Sequence, residues 1–236
     1  MTHLEIVRDL TQAQTVTVTI RDLDFTQPPA AEFEITIEPE EAEEMATFST
    51  SIAASSDDAR ETGGGTVTLN ATTINSSGTG VWLGFRYTNV TIPSGSTINT
   101  AKQTVYVHSS DDPNLDIYGN DVDDAATYTT TSNDITGRTL TTAKVTWSAT
   151  DIGTGSKDTP DLATVIQEII DRAGWSSGND IALLWDSLGG SSIAIRAYDY
   201  GSDYPSLTID YTAPSSGSNP KTARIRLTTK VGGTLA

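Results

Sequence analysis

The chain contains no cysteine. That excludes a disulfide framework, a thiolate metal site and a cysteine nucleophile. Basic residues are scarce, 14 against 31 acidic ones, which leaves a formal net charge of −17 over 236 residues. A nucleic-acid binder normally presents a basic face, so no nucleic-acid partner is expected. No apolar run approaches the roughly 20 residues of a membrane span, so no membrane insertion is expected. Charged residues make up 19% and apolar residues 36%, a poor basis for a helical bundle or coiled coil.

Small polar residues fill the gap, above all 39 threonines. β-branched residues favour strands, and the chain has strand-like stretches throughout. In residues 1–46 the stretch Gln14–Ile20 alternates polar and apolar, with Val16, Val18 and Ile20 on one phase. Phe33–Glu38 alternates too, with Ile35 and Ile37 on one phase, and Pro28-Pro29 marks a turn between the two. This is the period-two signature of half-buried strands, and it predicts an acidic N-terminal β-arm. The run Glu40, Glu41, Glu43, Glu44 reads as a solvated linker or a short helical turn.

Residues 47–213 read as one β-rich domain. Candidate strands are 47–52, 65–69, 81–87, 100–108, 116–118, 144–147, 181–185, 193–197 and 206–211, separated by Gly, Ser, Asn and Asp clusters. Residues 159–172 break the pattern. Leu162, Val165, Ile166, Ile169 and Ile170 recur at helical spacing, with Thr159 as cap, Pro160 at the first position and Gly174 as terminator. Residues 214–220 are a Ser/Gly/Pro linker, and residues 221–236 carry Lys221, Arg224, Arg226 and Lys230 without an acid. Ala223, Ile225 and Leu227 alternate with Arg224 and Arg226, which predicts a basic C-terminal strand. The acidic arm and basic strand are complementary, so pairing within one subunit or between subunits is expected, the alternative being a floppy tail. The expected fold is all-β: a jelly-roll β-sandwich with one amphipathic helix, plus an N-terminal β-arm and a C-terminal strand.

Several blocks carry a family resemblance: Ile52–Ala59, Leu83–Ile98, Ile117–Gly119 with Asp121 and Asp123, Ala125–Tyr128, Val145–Trp147 and Ile169–Asn179. On them, residues 47–212 resemble the disaggregatase-related, DNRLRE-like carbohydrate-binding-type β-sandwich modules of bacterial, archaeal and phage extracellular proteins. The resemblance implies a jelly roll, frequent calcium binding and a glycan-associated setting. It does not imply catalysis. The start Met1–Glu5 has neither the basic nor the apolar stretch of a signal peptide. Together these lead to an expectation of synthesis in a host cytoplasm and localisation in a bacteriophage virion.

No catalytic constellation stands out. His108 precedes Ser109, Ser110, Asp111 and Asp112, but adjacent residues on one strand end cannot fold back into a triad. No catalytic residue is assigned, and the protein is expected not to be an enzyme. Loop carboxylates are the candidates for calcium, which takes several oxygens. They are Asp121, Asp123 and Asp124 with Asn120, then Asp57 and Asp58 with Glu61, then Asp111, Asp112 and Asp116. The competing reading is solvated Asx turns. For ligand contacts the loop Tyr198, Tyr200, Asp203, Tyr204 mixes rings with a carboxylate, whereas Trp147 and Trp185 read as core.

The leading expectation is a non-enzymatic virion structural protein on the capsid or tail exterior, in a decoration or adhesion role. It would form a homo-oligomer and dock on other virion proteins through Val16, Val18, Ile20, Ile35, Ile37, Arg224, Ile225, Arg226 and Leu227. The alternative is a carbohydrate-binding module that recognises a host-surface polysaccharide.

Overall fold

The computed structural model describes residues 45–109, 112–189 and 192–214 in full, and the backbone of four further strands at 3–7, 15–19, 33–37 and 221–225. The chain divides into two compact units. One takes Met1–Glu40 together with Asn219–Ala236, the other Glu41–Ser218.

In the first unit, β1 (His3–Val7) pairs antiparallel with β2 (Thr15–Thr19), Ile6 opposite Val16 and Leu4 opposite Val18. Strand β3 (Phe33–Ile37) pairs antiparallel with β16 (Lys221–Ile225). The acidic arm and the basic strand therefore meet within one chain, in a register that sets Arg224 opposite Glu34 and Ile225 opposite Phe33. Of the expected docking positions, Val16, Val18, Ile35, Ile37, Arg224 and Ile225 lie on these strands. Ile20, Arg226 and Leu227 lie outside the described residues.

The second unit is an all-β sandwich with one helix. Its strands are β4 (Met45–Ser51), β5 (Asp58–Glu61), β6 (Val67–Thr68), β7 (Thr73–Asn75), β8 (Trp82–Tyr87), β9 (Thr97–Ser109), β10 (Asn114–Asn120), β11 (Leu140–Ser148), β12 (Gly155–Asp158), β13 (Ile181–Ser187), β14 (Ala194–Arg196) and β15 (Ser206–Thr212). One sheet runs β11-β10-β13-β8-β5-β6. The other runs β4-β15-β9-β14-β7, with β12 also on β9. All pairings are antiparallel, and the chain crosses between sheets repeatedly, as a jelly roll does. Three of these strands, β5, β7 and β12, were not expected from the sequence. They are short and carry Asp, Glu, Asn, Gly or Lys, types that β-propensity disfavours.

Alternation puts Leu83, Phe85 and Tyr87 of β8, Leu183 and Trp185 of β13, and Val105 and Val107 of β9 into the core, all at most 1% exposed. Trp185 sits at the centre, with the Phe85 ring at 4.9 Å and the Trp147 ring edge-on at 5.5 Å. Its indole N–H donates to Gln103 Oε1 at 3.0 Å, so the buried donor is satisfied. Helix α1 (Ala163–Ile170) is shorter than expected. Thr159 does not cap it, because its hydroxyl accepts from Gln103 N–H on β9 at 3.1 Å. Asp161 Oδ1 serves the helix start instead, accepting from Ala163 N–H at 3.0 Å and Ala101 N–H at 2.9 Å. Val165, Ile166, Ile169 and Ile170 are buried, as the stripe requires. Gly119 on β10 lets the helix come close: a Cβ there would stand 2.6 Å from Ile169 Cδ1. Among the described residues no helix is long and apolar enough to cross a membrane.

Candidate functional site

Strand β9 is amphipathic. Val105 and Val107 point inward, so Tyr106 and His108 stand on the outer face. Arg196 on the neighbouring strand β14 joins them. The chain then leaves the sheet before resuming as β15. A 3₁₀ turn at Tyr198–Tyr200 is followed by Gly201 at φ +89°, a left-handed position that glycine adopts without strain. This excursion folds back over Arg196. The guanidinium carbon lies 3.7 Å from the Tyr106 ring centroid and 4.1 Å from that of Tyr200, so the cation is held between two ring faces. The ring of His108 approaches Tyr200 at 5.5 Å. Asp203 pairs with Arg196 Nη1, and Ser202 Oγ lies 3.4 Å from the same nitrogen.

The excursion is anchored at its base. Asp58 on β5 accepts the Tyr198 N–H at 2.6 Å, and Ser55 Oγ donates to both carboxylate oxygens of Asp199 at 2.6 and 2.7 Å. Tyr198 and Tyr204 stack on each other at 5.0 Å and pack against the core. Burial pushes the Asp58 carboxyl up to about 7; the Tyr198 N–H opposes this, while Asp199 and Asp57 add to it. Its second oxygen, Oδ1, has no hydrogen-bond partner.

The four expected contact residues thus come together but divide in role. Tyr198 and Tyr204 brace the excursion, whereas Tyr200 and Asp203 face outward. Tyr200 is one of only three exposed large apolar side chains among the described residues, at 36%. Sequence reasoning missed Tyr106 and Arg196, and weighed His108 only as part of a triad. The signal was present in Val105-Tyr106-Val107-His108, whose alternation puts both rings on one face.

The carboxylates of the expected calcium clusters have protein partners. Asp121 and Asp123 both bind Arg172, the latter at 2.7 Å, and Asp124 accepts the Asp180 N–H at 2.9 Å. Asp57 pairs with Arg86 at 2.6 Å. Glu61 accepts from the backbone N–H groups of Ile135 and Thr136 at 2.8 and 3.1 Å. Asp116 accepts from Lys144 and Thr146, both at 2.6 Å. Asp112 Oδ1 takes the Asp151 N–H, and Asp111 lies outside the described residues. Calcium needs six to eight oxygens. Among the described residues no group of three or more His, Asp or Glu is arranged to hold a metal. Their partners are arginines, a lysine, threonine hydroxyls and backbone N–H groups distant in sequence, so spacing alone could not reveal the pairing.

The fold and this patch define the class: a β-sandwich with an aromatic–guanidinium surface on one sheet. Compared with known proteins, the chain matches no family model, and no curated protein matches it in sequence.

Proposed function

We propose that the sandwich is a non-enzymatic carbohydrate-binding module whose contact surface is the Tyr106–Arg196–Tyr200 patch. The observation that carries this reading is the exposed Tyr200 ring, held in place by a guanidinium that is itself braced from beneath by Tyr106. Pyranose rings present C–H faces that stack on aromatic rings, and their hydroxyls bond to flanking polar groups. Asp203, His108 and Ser202 supply such groups around the ring. Glycan-array binding of the full chain tests it. Tyr200→Ala is expected to weaken the best ligand about tenfold while leaving stability within about 0.5 kcal/mol. Failure of the unaltered chain to bind any glycan, or undiminished binding by the variant, would overturn the reading.

A second reading rests on the other unit. Two-stranded sheets are marginal alone, and their open edges invite strand addition. Among the described residues the β1–β2 and β3–β16 ribbons each have only two strands. This favours assembly through the terminal segments, as expected of a decoration or adhesion protein on the exterior of a bacteriophage virion. Light scattering should then report a multimer that dissociates when residues 221–236 are deleted. A monomeric full-length chain removes this reading.

A further inference from the structure

The other sheet has an outer face of different character. Alternation along β8, β13, β10 and β11 turns Trp82, Leu184, Asp186, Asp116, Tyr118, Lys144 and Thr146 away from the sandwich core. Part of this face is covered. The segment from Asp121 to Thr139 lays Tyr128 over Gly84, where a Cβ would stand 2.5 Å from Tyr128 Cζ, and seals Ala59, Ala182 and Leu184 beneath it. Trp82 sits at the margin of that cover, half-buried, and Lys144 and Thr146 on the same face are exposed.

On this margin the Trp82 and Tyr118 rings lie nearly parallel, 28° between planes and 6.1 Å between centroids, across the intervening strand β13. Lys144 Nζ hangs 5.7 Å from the Tyr118 centroid, and the Lys144 side chain is 47% exposed. The register sets Asp186 between Trp82 on one side and Asp116 on the other. The two carboxylates differ. Asp116 is saturated by Lys144 and Thr146. Asp186 accepts no hydrogen bond among the described residues, and the Trp82 indole N–H likewise has no partner there. Burial and then the neighbouring Asp116 raise the Asp186 carboxyl, and Lys144 opposes this. A half-buried carboxylate without a donor, beside another carboxylate, is unfavourable until a donor arrives.

We propose that Trp82, Tyr118, Asp186 and Lys144 form a second pyranose subsite, separate from the Tyr200 patch and favouring an amino sugar. The outer face of the stacked Trp82–Tyr118 pair takes the C–H face of the sugar. Asp186 takes its ammonium or a hydroxyl, and Lys144 and the indole N–H donate to ring-substituent oxygens. Acidic sugars are disfavoured by the two carboxylates and by a chain of net charge −17. This subsite stands whether or not the Tyr200 patch binds glycan.

The chain carries its own probe. Trp147, Trp175 and Trp185 are at most 6% exposed, so acrylamide quenching of tryptophan fluorescence reports chiefly on Trp82. A glucosamine oligomer, a neutral glucan oligomer and polygalacturonate are titrated into the full-length protein. The glucosamine oligomer should protect the quenchable fluorescence most and polygalacturonate least, and Tyr200→Ala should keep that protection. Asp186→Asn should lower affinity for the glucosamine oligomer about five- to tenfold and equalise it with the neutral one. Its melting temperature checks that it is folded; if it does not fold, Lys144→Met serves instead and should weaken both oligomers. Absence of protection by either oligomer overturns the proposal. So does protection lost in Tyr200→Ala, or an unchanged preference in Asp186→Asn.

Discussion

The two outer faces of the sandwich solve one problem in opposite ways. A sheet needs a wet side or a covered side, and this chain has few apolar residues to spare. The face of β4, β15 and β9 stays wet and is laced across strands by short side chains. Thr47 and Thr100 both donate to Asp210 at 2.6 and 2.9 Å, Ser49 meets Thr208 at 3.1 Å, and Thr104 donates to Asp158 at 2.7 Å. The face of β8, β13 and β5 is covered by the Asp121–Thr139 segment, held down by buried or half-buried charge. Arg86 binds Asp57, Asp180 and the Ala125 carbonyl, and Arg138 binds the carbonyls of Ala126 and Thr127 while lying 4.1 Å over the Tyr128 ring. Each proposed binding patch sits where its face departs from its own rule: Tyr200 rises from the wet face, and Trp82 lies at the edge of the cover.

The contrast predicts unequal costs. Arg86→Ala strands Asp57 and Asp180, whose side chains are 4% and 15% exposed. A loss of about 3 kcal/mol is expected in denaturant unfolding, and a loss under 1 kcal/mol would mean that the cover is not held by charge. Asp58 comes next, because it links the covered sheet to the excursion on the wet one. Its folded carboxyl titrates near 7 and its unfolded one near 3.8. Between those values the unfolded chain gives up a proton that the folded chain keeps, so stability falls as pH rises, by about 4 kcal/mol at most, and is level above pH 7. Asp58→Asn should flatten stability across that window, and an unchanged slope would rule Asp58 out as its source. Asp210 behaves in the opposite sense. Hydrogen bonds from Thr47 and Thr100 hold it below the usual carboxylate range, so its contribution is lost only as pH falls below 3.8. Thr47→Ala is the mildest change, costing about 0.5 kcal/mol, and a cost equal to that of Arg86→Ala would erase the distinction between the faces.

Periodicity made much of this legible. The helix stripe from Leu162 to Ile170 is buried as its spacing requires, and Trp147 and Trp185 are in the core. The strands with clean alternation were found within a few residues of their ends. What the sequence hid was long-range. Asp57, Asp121 and Asp123 pair with Arg86 and Arg172, which arrive from 29 to 51 positions away. The Tyr198–Tyr204 loop was visible as aromatic, but its division into braces and a face depended on Arg196 meeting Tyr106 across strands. Trp82 could not be told from a core tryptophan, because its phase becomes clear only once Leu83 and Phe85 are known to point inward.

The pairing of β4 with β15 has a mechanical consequence. Met45 and Thr212, the first and last residues of the sandwich strands, are opposite each other. Tension applied through the two connections at that point loads the pair at one end. The hydrogen-bonded rungs would open in succession rather than share the load, so the domain should yield at low force by unzipping, while a pull along the length of β9 should meet far greater resistance.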